Sequence, residues 1–138
     1  MGQFFKSRFE NRGFVVNILD NPLTPENIQD IIPGSDAVIL ATPTHACEEV
    51  LQRIGDYLDT STILTDICSV KMRPLNLMLN MHSGPVVGTH PLFGPNPDGE
   101  EFLRTAIVPG REESADKTVF SLMQAIGLTP FTTSACGC

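Results

Sequence analysis

The sequence predicts an α/β fold, a doubly wound parallel sheet with helices on both faces. Two observations carry this prediction. Apolar β-branched runs alternate with segments of helical periodicity along the whole chain, the order of βαβ units. The runs are continuously apolar instead of alternating, which is how parallel strands covered on both faces read. No internal repeat, low-complexity tract or linker interrupts the pattern.

In chain order, residues 2–12 form the first predicted helix. Phe4, Phe5, Arg8 and Phe9 recur at helical spacing, and Gly13 stands where a helix commonly ends. The run 14–19 predicts a strand that stops at Asp20. Thr24, Pro25 and Glu26 supply an N-cap, a first-turn proline and an early acid for a short helix to about residue 32. Residues 37–42 predict a second strand, closed by Pro43. A helix over 44–58 puts Cys47, Val50, Leu51, Ile54 and Leu58 on one face. A strand over 62–67 follows, then a helix over 73–81 bearing Leu75, Leu77, Met78 and Met81, then a short strand over 86–89. Residues 94–101 are rich in Gly, Pro, Asp and Asn and read as a loop. A strand over 105–108, a helix over 115–126 ended by Gly127, and an extended piece over 129–133 complete the order.

With 138 residues, a single domain is expected. The apolar share of 41% and a mean hydropathy near zero suit a soluble domain. A net charge of −7 argues against a nucleic-acid partner, which requires a basic stripe. No apolar run approaches the roughly 20 residues needed to span a bilayer, and no secretory leader pattern opens the chain. The expectation is a cytoplasmic protein with no membrane partner. The four cysteines suggest no disulfide framework: Cys47 and Cys68 fall in a helix and at a strand end, where free thiols act as small hydrophobes. Cys136 and Cys138 lack a second pair at ligand spacing, so no metal is expected.

Ligands of open α/β sheets bind where neighbouring strands end in one crevice. Two strand ends here run into polar groups able to do chemistry. One carries Asp66-Ile67-Cys68-Ser69-Val70-Lys71, the other Gly88-Thr89-His90-Pro91. Histidine accepts a proton near physiological pH, although a histidine beside proline is also an ordinary loop residue. Ser69 lacks the G-x-S-x-G elbow of a nucleophilic serine. Gly2, opening the first helix, is placed like the third glycine of a Rossmann dinucleotide fingerprint. Asp20 stands about where such a domain keeps its ribose-binding acid. An acid there repels a 2′-phosphate and prefers NAD to NADP; the plainer reading is a turn aspartate before Asn-Pro. The Thr42-Pro43-Thr44-His45 segment either borders the crevice or is a βα turn capped by Thr44. His45 is expected to be partly exposed.

The segments 66–71, Pro74-Leu75 and Gly84-Pro85-Val86-Val87-Gly88-Thr89-His90-Pro91-Leu92-Phe93-Gly94-Pro95 together resemble prephenate dehydrogenase, of the prephenate/arogenate dehydrogenase family, in its nucleotide-binding domain. The resemblance runs over nearly the whole chain, including Met1-Gly2-Gln3-Phe4-Phe5 and the Thr42-Pro43 loop. It implies NAD-dependent oxidative decarboxylation of prephenate to 4-hydroxyphenylpyruvate in tyrosine biosynthesis. His90 matches the histidine that assists deprotonation of the ring hydroxyl, and Ser69 the serine that orients it. Gly2, Asp20, Thr42 and Pro43 match cofactor-binding positions, and Phe93, Gly94 and Pro95 would shape the pocket wall. Lys71 is either a substrate contact or a member of a structural ion pair. The alternatives are arogenate dehydrogenase and a non-catalytic Rossmann-like fragment without cofactor binding.

Against the family pattern, the chain is expected to be cut at both ends. It lacks the glycine-rich first strand and the C-terminal helical domain that completes the substrate pocket and forms the family homodimer. Residues 1–134 then read as an incomplete dinucleotide-binding domain and 135–138 as a tail unlike the family. Arg104 and Arg111 are expected to be solvated charges. A missing central strand would leave ladder groups unsatisfied at about 1–3 kcal/mol each, against about 5–15 kcal/mol of net stability. The chain alone is therefore expected to fold poorly, or to act only after association.

Overall fold

Each predicted helix forms because it has an apolar stripe to bury and a local signal that starts or stops it. The computed structural model describes residues 1–94 and 103–135. Helix α1 spans Gly2–Asn11 and buries Phe5 and Phe9. It closes through Gly13, at φ +85°, with the Phe14 N–H donating to Phe9 O at 3.1 Å, a Schellman closure that needs a left-handed residue. Helix α2, Pro25–Ile31, starts on Thr24, whose hydroxyl accepts from Asn27 N–H at 3.2 Å. The predicted helix over 44–58 resolves into α3, Cys47–Ile54, bracketed by single 3-10 turns at Thr44–Ala46 and Gly55–Tyr57. Helices α4, Met72–Met81, and α5, Glu113–Ala125, match their predicted places.

Five strands form one sheet in the order β1-β2-β3-β4-β5: Ala37–Leu40, Ile63–Asp66, Val86–Pro91, Arg104–Arg111 and Thr129–Thr132. Strands β1, β2 and β3 are mutually parallel, with Leu40 beside Asp66 and Asp66 beside Gly88. Strand β4 runs antiparallel to β3, and β5 parallel to β4. The expected all-parallel sheet is thus corrected to a mixed one. The β3–β4 pairing runs from Val86 opposite Arg111 to Pro91 opposite Thr105.

Successive residues of one strand feed opposite cores, which is what winds helices on both faces. Val87 and Ile107 join Phe5, Phe9, Ala115, Val119 and Met123, from α1 and α5. Val86 and Val108 join Leu51, Ile54, Leu75 and Met78, from α3 and α4, together with Ile28 of α2.

Two further expectations are corrected. Residues 14–19 form no strand; Val15 is 91% exposed, and Phe14 packs edge-on against Phe9 with ring centroids 5.4 Å apart. An extended apolar run becomes a strand only when another backbone takes its N–H and C=O groups, and no described strand does so here. Arg111 is no solvated charge: its guanidinium donates to the carbonyls of Leu79 (2.9 Å), His82 (2.5 Å) and Gly84 (2.9 Å), satisfying the C-terminal end of α4. Arg104 is exposed and lies over the Phe131 ring at 4.6 Å. The predicted loop falls almost wholly outside the described residues, as do Cys136 and Cys138 of the tail.

Candidate functional site

The parallel arrangement of β1, β2 and β3 brings their carboxyl ends to one edge of the sheet. Thr42 and Pro43 follow β1, Ser69 follows β2, and His90 is the penultimate residue of β3. His90 therefore lies within the ladder, paired in register with Ala106 of β4, and not in the loop beyond it.

The N-terminus of α1 comes to the same edge. A Cβ placed on Gly2 would stand 3.7 Å from Ala41 Cβ, so the helix start packs directly on the residue after β1. One turn in, Phe4 meets Phe93 edge-on at 5.2 Å, joining α1 to the segment just past His90. The first turn of α1 carries no side-chain cap and no acid. Its N–H groups and the positive end of its dipole are thus free of competing anionic groups from the helix itself.

A buried polar cluster binds the ends of β2 and β3 together. Asp66 is 0% exposed and Lys71 2% exposed. Lys71 Nζ donates to Asp66 Oδ2 at 2.5 Å and to the Thr89 carbonyl at 2.5 Å. The same Oδ2 accepts from Cys68 N–H at 3.1 Å, and Oδ1 from Thr89 N–H at 3.4 Å. The Thr89 hydroxyl donates to the Asp66 carbonyl. Gly88 leaves space for this lysine: a Cβ there would lie 3.4 Å from Lys71 Cδ and 3.3 Å from Val108 Cβ. Of the two readings of Lys71 open in the sequence, the buried ion pair is the one observed.

His90 is half-buried, and its Nδ1 is buried without a hydrogen-bond partner among the described residues. Burial pushes its pKa below the ordinary 6.5, the Lys71 charge pushes it further down, and Asp66 opposes. At neutral pH His90 is an uncharged imidazole able to accept a proton. Ser69 is exposed, on the loop that follows the neighbouring strand β2.

Sulfur contacts link this loop to the one after β1. Cys68 Sγ lies 3.5 Å from Cys47 Sγ and 3.5 Å from the Thr42 carbonyl, and Thr42 Oγ1 lies 3.5 Å from Cys47 Sγ. Both cysteines are free and buried. Burial first, then the charge of Asp66, pushes the Cys68 thiol up to about 12, so it stays protonated and packs as a small hydrophobe. His45 is exposed. Val70, Met72 and Leu92, close in sequence to Ser69 and His90, are 58%, 51% and 47% exposed.

Asp20 closes the exposed segment that follows α1. It is exposed, its Oδ1 accepts from Asn21 N–H at 2.8 Å, and no hydrogen bond or ion pair joins it to Gly2 or Thr42. Pro95 lies outside the described residues. Asp66 is what sequence reasoning missed; the only signal was an acid closing an otherwise apolar strand, five residues before a lysine.

Comparisons with known proteins bear on the family and the fold. The family described as "Prephenate dehydrogenase, nucleotide-binding domain" matches residues 10–110. The T-protein of Enterobacter agglomerans is 33% identical over 129 residues, covering 92% of this chain and 34% of its own length. The crystal structure of prephenate dehydrogenase from Aquifex aeolicus in complex with hydroxyphenyl propionate and NAD+ superposes with a TM-score of 0.79 at 21% identity, over 98% of this chain and 57% of that one. Synechocystis arogenate dehydrogenase gives 0.75 at 16% identity, over 94% and 55%. The chain spans about a quarter to a third of the length of the curated relatives it matches.

Proposed function

We propose a function from one established premise: the chain belongs to the prephenate dehydrogenase family, as its nucleotide-binding domain. The protein carrying this chain oxidatively decarboxylates prephenate to 4-hydroxyphenylpyruvate, and these residues supply the cofactor platform and the base. The observation that carries the reading is His90, an uncharged imidazole at the sheet edge where α1 begins and where Ser69 emerges.

The residues present fit NAD. The uncapped first turn of α1, held against Ala41 at Gly2, suits a pyrophosphate. Thr42 and Pro43 would border the nicotinamide ribose, and Asp20 would take the adenosine ribose hydroxyls and repel a 2′-phosphate. When bound, NAD supplies the hydride acceptor.

His90 accepts the proton of the substrate's ring hydroxyl as that carbon becomes a carbonyl and gives up its hydride. The lowered pKa keeps the imidazole ready for this transfer at neutral pH. Ser69 hydrogen-bonds the same hydroxyl and fixes its direction toward His90. The ring then expels carbon dioxide, and the electrons of the broken C–C bond complete the aromatic system.

The test is prephenate-dependent NADH formation by the protein carrying this chain and by its His90→Asn variant. A loss of about 10²–10⁴ in kcat with unchanged NAD affinity is expected; wild-type turnover in the variant overturns the assignment. Arogenate is the second reading, since the same ring chemistry applies and a similar fold is that of an arogenate dehydrogenase. A higher kcat/KM for arogenate than for prephenate would select it. Failure to bind NAD at all would favour a non-catalytic module.

A further inference from the structure

We propose that the Asp66–Lys71 ion pair is a positioning unit that sets His90 and Ser69 relative to each other by clamping the carboxyl ends of β2 and β3. This deepens, and rests on, the reading of His90 as the base.

The argument is one of connectivity. The Asp66 carboxylate accepts from the backbone N–H of Cys68 and of Thr89, the residues immediately before Ser69 and His90. Lys71 closes the circuit by bridging Asp66 and the Thr89 carbonyl with a single ammonium. One fully buried acid thus holds both functional loops by their main chains, and one fully buried cation holds the acid. Packing alone does not call for a charged pair in this place, because burying two ions costs several kcal/mol each before their attraction repays it. Apolar residues of similar size commonly do as well or better for stability. What an apolar pair cannot do is direct two backbone N–H groups, or set the field at an imidazole.

The charged groups bearing on His90 are Lys71 and Asp66, with Lys71 the stronger and opposed by Asp66. Cys68 is a neutral thiol on the same side. Strand β4 presents Ala106 in register, and its Arg104 lies over Phe131. Burial is the larger cause of the lowered His90 pKa, and the ion pair is the local source of charge that adds to it.

The experiment is an NMR titration of the His90 ring protons in the full chain, with the Ser69 amide as a second reporter, in the absence of cofactor and substrate. The double variant Asp66→Asn, Lys71→Met removes both charges at similar volume. Its His90 midpoint is expected to rise, by less than the loss of one lone charge would give because the two removed charges oppose each other, with the Ser69 amide displaced. Gly88→Ala is the second variant, since its Cβ would press on Val108 Cβ at 3.3 Å and touch Lys71 Cδ at 3.4 Å, shifting the β3 end without changing any charge. It is expected to displace both reporters in a folded protein, and it decides the matter should the double variant not fold. Unchanged His90 and Ser69 signals in a folded variant, at whatever melting temperature, would mean the pair is merely structural. The readout contains neither NAD nor prephenate. Moved signals in a protein that fails to oxidise prephenate would therefore strike the proposed function and leave the positioning role standing.

Discussion

The ends of β2 and β3 and the segment from Phe14 to Asp20 are built in opposite ways. The first is polar yet sealed: Asp66, Lys71 and Thr89 are buried, and every charge has a partner. The second is apolar yet open, with Phe14, Val15 and Ile18 among the most exposed large hydrophobic residues. Sealing a polar network makes it expensive to disturb, whereas an apolar run without a ladder partner has little to lose. The half of the site proposed to handle the proton is thus fixed by the chain's own contacts, and the position proposed to read the adenosine ribose is not.

That contrast is broken most severely by Lys71→Ala. It leaves Asp66 buried and uncompensated, and a loss of about 3–5 kcal/mol is expected in chemical denaturation. An equally sized loss from Val15→Ala, where about 0.5 kcal/mol or less is expected, would erase the difference between the two regions. Next comes Met78→Ala, beneath the same strands and fully buried, which should cost about 2–5 kcal/mol by leaving a cavity. The comparison is sharpened by Asp20→Ala. Because Asp20 is exposed and bonded only to its neighbour, the change should leave stability alone and weaken NAD binding by no more than about tenfold, or about 1.4 kcal/mol. Calorimetric titration measures it, and a relative gain in NADP affinity should accompany the loss. Smallest is the pH dependence of stability from His90. Its folded pKa is depressed, so the unfolded chain binds the proton first and stability rises with pH. The contribution is complete above the ordinary 6.5 and is lost as pH falls through the lowered folded value, visible as wild-type minus His90→Asn stability between pH 5 and 7.

Much of the fold was legible because its signals are local. The Thr24 cap, the Gly13 closure and the apolar faces of α3 and α4 each depend on a few neighbouring residues. What was not legible depends on partners distant in sequence. The antiparallel pairing of β4 with β3 is a choice of partner and sense that composition cannot show. Residues 14–19 have a strand's composition, but composition does not provide the neighbour a strand needs. Arg111 looks like any surface arginine until the carbonyls at the end of α4 are seen around it. In the site, His90 and Ser69 were marked by motif and by strand ends, and they do fall at one sheet edge. Asp66 was hidden because nothing in a sequence says that a strand-ending acid turns inward, and the choice between two roles for Lys71 awaited the distance from its ammonium to that acid.

The central claim is that an uncharged His90 takes the substrate's hydroxyl proton. The pH profile of kcat/KM for prephenate, in wild type and His90→Asn, tests it most directly. An acid limb with an apparent pKa below 6.5, abolished in the variant along with most of the rate, is the predicted result. The same acid limb surviving in His90→Asn would place the titrating base elsewhere and contradict the account.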